Sequence, residues 1–311
     1  MRNNITWASG LWSDMPDLPR QQTLITGNPI GRYGREMPYP ILKWAGGKGR
    51  LLPELVERVD RAGEFGRYHE PFFGGGALFF ELYRSGRLPA GGARLSDANP
   101  NLMAVYEGVR EDVEAVIELL KAHREAHCKE YYYAVREVVP ENLPAQAARI
   151  IYLNRTCYNG LYRENKQGKF NTPMGDYNNP AILDAENLRE AAKALRQAEI
   201  ATASFEEVLN HAAPGDFVYF DPPYVPLSDS ANFTSYAKNG FGEKEQRLLA
   251  EAMSELDKKG VKVLLSNSMT PLIQELYQRF TVDTVHAPRL VNSKAGGRGN
   301  VEEALVRNFG S

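Results

Sequence analysis

The chain has only two cysteines, Cys128 and Cys157. They are too few and too far apart for a disulfide framework or a four-ligand zinc site, which fits a reducing compartment. None of its five histidines falls in an H-E-x-x-H run, so a metal-dependent hydrolase has no visible apparatus and no metal is expected. No apolar run approaches the roughly 20 residues that a membrane helix needs. The N-terminus lacks a secretory leader pattern, so a cytoplasmic protein without membrane contact is expected. A large excess of one charge is also missing: 37 basic against 39 acidic residues give a formal net charge of -2, which argues against a globally basic nucleic-acid binder. At 311 residues the chain suits one elaborated domain or two lobes.

Local charge says more than the total. Between Arg149 and Phe170 stand five basic residues, Arg149, Arg155, Arg163, Lys166 and Lys169, against one acid, Glu164, interleaved with Tyr152, Tyr158 and Tyr162. Cations among aromatics suit a polyanion with stackable bases, although an ordinary solvated face gives the same pattern.

Residues 1–38 mix Asn, Gly, Pro, Trp and Arg without period and read as an irregular extension. From Tyr39 the texture becomes strand, glycine turn, helix, in PILKWAGGKGRLLPELVERV. It repeats in RYHEPFFGGGALFFELY and again in ARLSDANPNLMAVYEGV, where a strand ends at Asp97 and Pro100 opens a helix. Such alternation predicts a mostly parallel α/β sheet. Residues 103–195 are helical in pattern and read as an inserted lobe, which divides the α/β part into 39–102 and 196–311.

Two stretches carry chemistry. FVYFDPPY runs from a buried strand, Phe217 to Phe220, into Asp221, Pro222, Pro223 and Tyr224. The prolines have a fixed φ and no N–H, so the exit loop is stiff, and ligands of open α/β sheets collect beyond such strand ends. A plain strand-ending turn is the other reading. Gly74-Gly75-Gly76 lets a backbone approach a ligand at a helix N-terminus, and Asp97 stands where such folds bind ribose hydroxyls, unless it only caps the next helix. The spacing is neither G-x-G-x-x-G nor a P-loop, which ranks nicotinamide enzymes and NTPases low. Trp44 and Lys48 add an aromatic face and an ammonium for a small zwitterion, a buried core Trp being the common alternative.

In this order and at these separations, KWAGGK, EPFFGGGA, SDANP, LNRTCYNGLYR, KFNTPMG and DPPY resemble the adenine-N6 DNA methyltransferases of the type that methylates GATC, over residues 39–311. The resemblance implies an α/β fold with a mostly parallel Rossmann-like methyltransferase sheet and an inserted helical DNA-recognition lobe. It implies S-adenosylmethionine as methyl donor and double-stranded DNA as substrate, with a cognate restriction endonuclease as an open partner. On the cofactor it places Trp44, Lys48, Phe72, Gly74, Gly76, Asp97, Phe205 and Asp221. At the flipped adenine it places Asp221, Pro222 and Tyr224. On DNA it places Arg155, Tyr158, Asn159 and Arg163, with Lys166 and Lys169 toward phosphates and Lys294 and Arg298 gripping from the other side. One departure is visible: where several relatives have Asp-Phe, this chain has Ser204-Phe205, so an anion is missing there. Methylation of RNA or of a protein amide, and a non-enzymatic DNA-binding regulator, are the competing readings.

Overall fold

The computed structural model describes residues 37–226, 241–288 and 300–310. Most of the N-terminal extension, and the loop with Lys294 and Arg298, lie outside the described residues. Seven strands form one sheet: β1 (Tyr68–Glu70), β2 (Ala93–Asp97), β3 (Ala198–Thr202), β4 (Phe217–Phe220), β5 (Lys262–Ser268), β6 (Thr281–Pro288) and β7 (Asn300–Arg307). Their order is β3-β2-β1-β4-β5-β7-β6. The first five run parallel, and β7 is antiparallel to both β5 and β6.

Why FVYF is apolar throughout follows from this position. Phe217 and Tyr219 enter one buried cluster and Val218 and Phe220 enter another, so both faces of β4 are covered. The first cluster includes residues from helices α1 (Leu52–Ala62), α2 (Ala77–Arg84), α3 (Pro100–Glu111), α4 (Val113–Glu125), α6 (Leu143–Thr156) and α7 (Ala185–Leu195). Tyr132, from α5 (Lys129–Glu137), joins it, so the helices between β2 and β3 share one core with the sheet. The second holds residues from α8 (Val208–His211), α9 (Glu243–Lys258) and α10 (Pro271–Leu276). Helix starts follow their caps: Asn99, Asn142, Asp184 and Thr270 each accept a backbone N–H from the first turn.

The strand expected at Tyr39–Trp44 does not form. Two buried asparagines take the place of a neighbouring strand. Asn187 accepts from the Tyr39 N–H (2.9 Å) and donates to its carbonyl (3.0 Å). Asn154 does the same for Lys43, at 2.8 and 2.9 Å. The segment thus satisfies its backbone groups without joining the sheet.

Beyond the carboxyl ends of β1 and β4 the connections diverge, β1 leading to β2 on one side while β4 and β5 lie on the other. That divergence opens the crevice where ligands settle in open α/β sheets.

Candidate active site

β4 delivers Asp221 to the crevice, and two groups hold its carboxylate. Lys48 Nζ lies 2.8 Å from Oδ1 and the Ser266 hydroxyl donates to the same oxygen at 3.0 Å. Both contacts fall on Oδ1, which leaves Oδ2 outside them. Tyr219, itself buried, shares a 2.9 Å hydrogen bond with Ser266 and completes the support. Burial pushes the Asp221 pKa above the ordinary carboxylate value, opposed first by Lys48 and then by Ser266. Lys48 also binds the Gly46 carbonyl at 2.6 Å and sits 4.5 Å above the Tyr224 ring. The Tyr224 hydroxyl donates to Glu303 of β7 at 2.8 Å, so the ring is held at face and tip. Pro222 is buried beside them.

A second group of residues surrounds the turn after β1. Gly74 has φ 49°, and a β-carbon there would meet the Trp44 ring at 2.9 Å. Only glycine permits both the turn and the approach of the indole. Its N–H donates to Asp97 Oδ2 (3.1 Å) and its carbonyl accepts from Tyr106 Oη (2.6 Å). Asp97 ends β2 as expected, and it does not cap α3; Asn99 does, while its own N–H donates to Asp97 Oδ1 at 3.0 Å. Burial raises the Asp97 pKa, opposed by these N–H groups. Gly76, in the left-handed region, opens α2. Phe72 stacks on Phe205 with centroids 5.4 Å apart, and Phe241 meets both edge-on. Ser204 donates to the Glu206 carboxylate at 3.0 Å, so a carboxylate stands beside Ser204.

The arrangement offers a carboxylate for hydroxyls, an ammonium for a carboxylate, aromatic faces for a purine and, at Asp221, an acceptor for an amine. Residues 44–289 match the family model of the D12 class N6 adenine-specific DNA methyltransferases. The chain belongs to this family. It is 39% identical over 280 residues to a Type II methyltransferase, M1.LlaDCHI, of Lactococcus lactis subsp. cremoris, covering 88% of this chain and 96% of that protein. It is 40% identical over 287 residues to the Type II methyltransferase M.MjaIII of Methanocaldococcus jannaschii, covering 87% and 99%. The DNA adenine methylase of Escherichia coli K12 is 37% identical over 272 residues, 86% of this chain and 94% of that one. The protein is thus an N6-adenine-specific DNA methyltransferase, an enzyme that moves a methyl group from a donor to adenine in DNA.

In this methyltransferase the basic, aromatic segment after α6 forms an exposed turn and hairpin. Tyr158 is 56% exposed, and Asn159 takes φ 54°, a left-handed conformation that Asn tolerates in turns. Arg163 is exposed and its Nε donates to Asn171 Oδ1 at 2.7 Å, which points the guanidinium along the hairpin. Lys166 and Lys169 lie exposed at the hairpin tip. Arg155 corrects the expectation placed on it: it is 8% exposed on the last turn of α6 and donates to the Ile41 carbonyl, supporting the 39–44 segment rather than facing solvent.

Several neighbours of Asp221 and Trp44 escaped the sequence reading. Ser266 and Asn267 are polar residues at the end of a buried strand, the same signal that singled out Asp221. Glu164 accepts from Asn101 Nδ2 at 2.9 Å and from Tyr162, whose ring lies 5.0 Å from Trp44. The hairpin is therefore joined to the start of α3 and to the Trp44 loop, through pairs far apart in sequence. Among the described residues, no helix is long and apolar enough to cross a membrane and no His, Cys, Asp or Glu cluster is placed to hold a metal.

Proposed function

We propose that the methyl donor is S-adenosylmethionine and that the target is the adenine of GATC in double-stranded DNA, flipped out of the helix into the crevice. The observation that carries this reading is the Asp221 carboxylate, pinned through Oδ1 by Lys48 and Ser266 at the end of β4, next to a loop whose prolines offer carbonyls and no competing donors. When bound, S-adenosylmethionine supplies an electrophilic methyl group on a sulfonium. Asp97 would accept from its ribose hydroxyls, Lys48 would face the carboxylate of its amino-acid end, and Trp44 and Phe72, backed by Phe205, would cover its apolar faces. Gly74 and Gly76 keep the backbone clear.

The adenine amino group is a poor nucleophile because its lone pair is delocalised into the ring. Asp221 Oδ2 and the Pro222 carbonyl each accept one N6 hydrogen and draw the nitrogen toward tetrahedral geometry, which frees that pair. Asp221 is too weak a base to deprotonate the neutral amine beforehand; it takes the proton as N6 becomes cationic. Positioning supplies most of the rate. A base within a duplex is out of reach, so it is extruded, and the Tyr224 ring offers it a stacking surface. Such stacking is worth about 1–3 kcal/mol, comparable with the cost of unstacking.

Recognition falls to the hairpin within the inserted lobe, residues 103–195. Tyr158 wedges into the stack, Asn159 contacts backbone or base, and the Arg163 fork matches guanine O6 and N7. Lys166 and Lys169 neutralise phosphates. Lys294 and Arg298 are assigned to DNA from their sequence context alone. The DNA substrate makes the cytoplasm the working compartment, and a cognate restriction endonuclease is a natural partner for an enzyme with Type II relatives.

Asp221→Ala tests the reading. It should abolish methyl transfer while leaving binding of S-adenosylmethionine and of duplex DNA measurable by calorimetry; appreciable residual turnover would remove Asp221 from the chemistry.

A further inference from the structure

Two prolines in succession stiffen the loop after β4, yet they deprive it of the N–H groups by which a backbone is usually pinned. Only their carbonyls can be held, and only by a donor from elsewhere. Gln246, on α9 and 0% exposed, supplies one: its Nε2 donates to the Pro223 carbonyl at 2.9 Å. Its Oε1 accepts at 3.1 Å from Nδ2 of Asn267, a residue of β5 that is also 0% exposed. Asn267 Oδ1 in turn accepts from the backbone N–H groups of Val225 (3.0 Å) and Ser268 (2.8 Å).

The polarity of this chain of bonds is fixed from both ends. The Val225 N–H can only donate, so it demands Oδ1 of Asn267; Nδ2 then faces Gln246, whose Oε1 must accept, and Nε2 is left for the Pro223 carbonyl, which can only accept. Two amides buried among apolar residues of the second core cluster would each cost a few kcal/mol if unpaired, so the relay has a single low-energy arrangement. Immediately before Asn267 in β5, Ser266 holds Asp221. β5 and α9 thus grip the loop at Asp221, Pro223 and Val225, on either side of Pro222 and Tyr224.

We propose that Gln246 and Asn267 form a positioning brace for the methyl-transfer step, with Gln246 occupying the Pro223 carbonyl so that the Pro222 carbonyl is the one aimed at the target amine. This rests on the reading that Pro222 receives one N6 hydrogen. Neither amide touches substrate; both act through the loop.

The test compares the wild-type protein with Gln246→Met and Gln246→Glu. Methionine keeps the length and removes the donor. Single-turnover methyl transfer should fall about 10- to 100-fold, the effect of a small misplacement of a reacting group, while binding of S-adenosylmethionine and DNA is unchanged. A protonated glutamate can both donate to Pro223 and accept from Asn267. Gln246→Glu should therefore keep activity while its carboxyl is protonated and lose it as pH rises and the carboxyl ionises, a limb absent from the wild-type profile. Hydrogen exchange at the Val225 amide, which needs no substrate, should quicken in Gln246→Met. An unchanged rate in Gln246→Met, a Gln246→Glu profile parallel to wild type, or unchanged exchange would each overturn the brace. Failure of the wild-type control to methylate DNA, with exchange responding as expected, would instead count against the reading of the reaction.

Discussion

At the scale of single residues, the role proposed for Asp221 requires an ionised carboxyl, because protonation of Oδ2 removes the acceptor that draws on the amine. Burial raises its pKa, and Lys48 is the largest influence opposing that rise. The rate at saturating cofactor and DNA should therefore fall as pH drops through a value above the ordinary 3.8 of the side chain. In Lys48→Met that acid limb should move to still higher pH, and a limb that stays in place would show that Lys48 does not tune the carboxylate. Arg163→Ala should cost about 1–3 kcal/mol of discrimination, roughly 5- to 160-fold, at one base pair only. If methylation of every duplex falls equally, Arg163 contacts phosphate. Asp221 was legible in the sequence because its motif is local: strand, acid and two prolines in one run. Arg155 was not, because the carbonyl that occupies it belongs to Ile41, 114 residues away. Its basic and aromatic setting reads like a nucleic-acid surface, and only tertiary contact reveals that it faces inward.

At the scale of elements, the segment from Tyr39 to Trp44 shows where pattern reading stops. Its apolar residues and its place before a glycine turn suit a strand, and the edge of the sheet was not where the chain went. Asn154 and Asn187 satisfy its backbone from α6 and α7, which no local signal announces. The segment leads into Trp44 and Lys48, so on the proposed reading its fixation bears on the cofactor. Asn154→Ala leaves the Lys43 N–H and carbonyl without that partner, at about 1–3 kcal/mol for each buried group left unpaired. A lower Tm together with weaker binding of S-adenosylmethionine is expected, measured by thermal denaturation and calorimetry. A variant that loses stability but binds the cofactor as wild type does would detach the segment from the cofactor site. β4 was readable to the residue and β2 at its end, since an acid with proline close behind it follows β4 directly and closes β2.

At the scale of the molecule, alternation of strand and helix predicts a parallel α/β sheet, but the strand order depends on pairings between distant segments and came only with the structure. That order puts β1 beside β4 and so brings Gly74, Asp97, Lys48 and Asp221 around one crevice. It also carries the hairpin of Arg163 to the same side, where Glu164, Tyr162 and Trp44 join it to the loops below. On the proposed reading, a single body then reads DNA and performs the chemistry. The direct measurement is to incubate the purified protein with S-adenosylmethionine and unmethylated genomic DNA and to map modified bases on single molecules. N6-methyladenine confined to GATC is the predicted result. Methylated adenine at another sequence would contradict the GATC target, and no methylated adenine despite measurable cofactor binding would contradict the account as a whole.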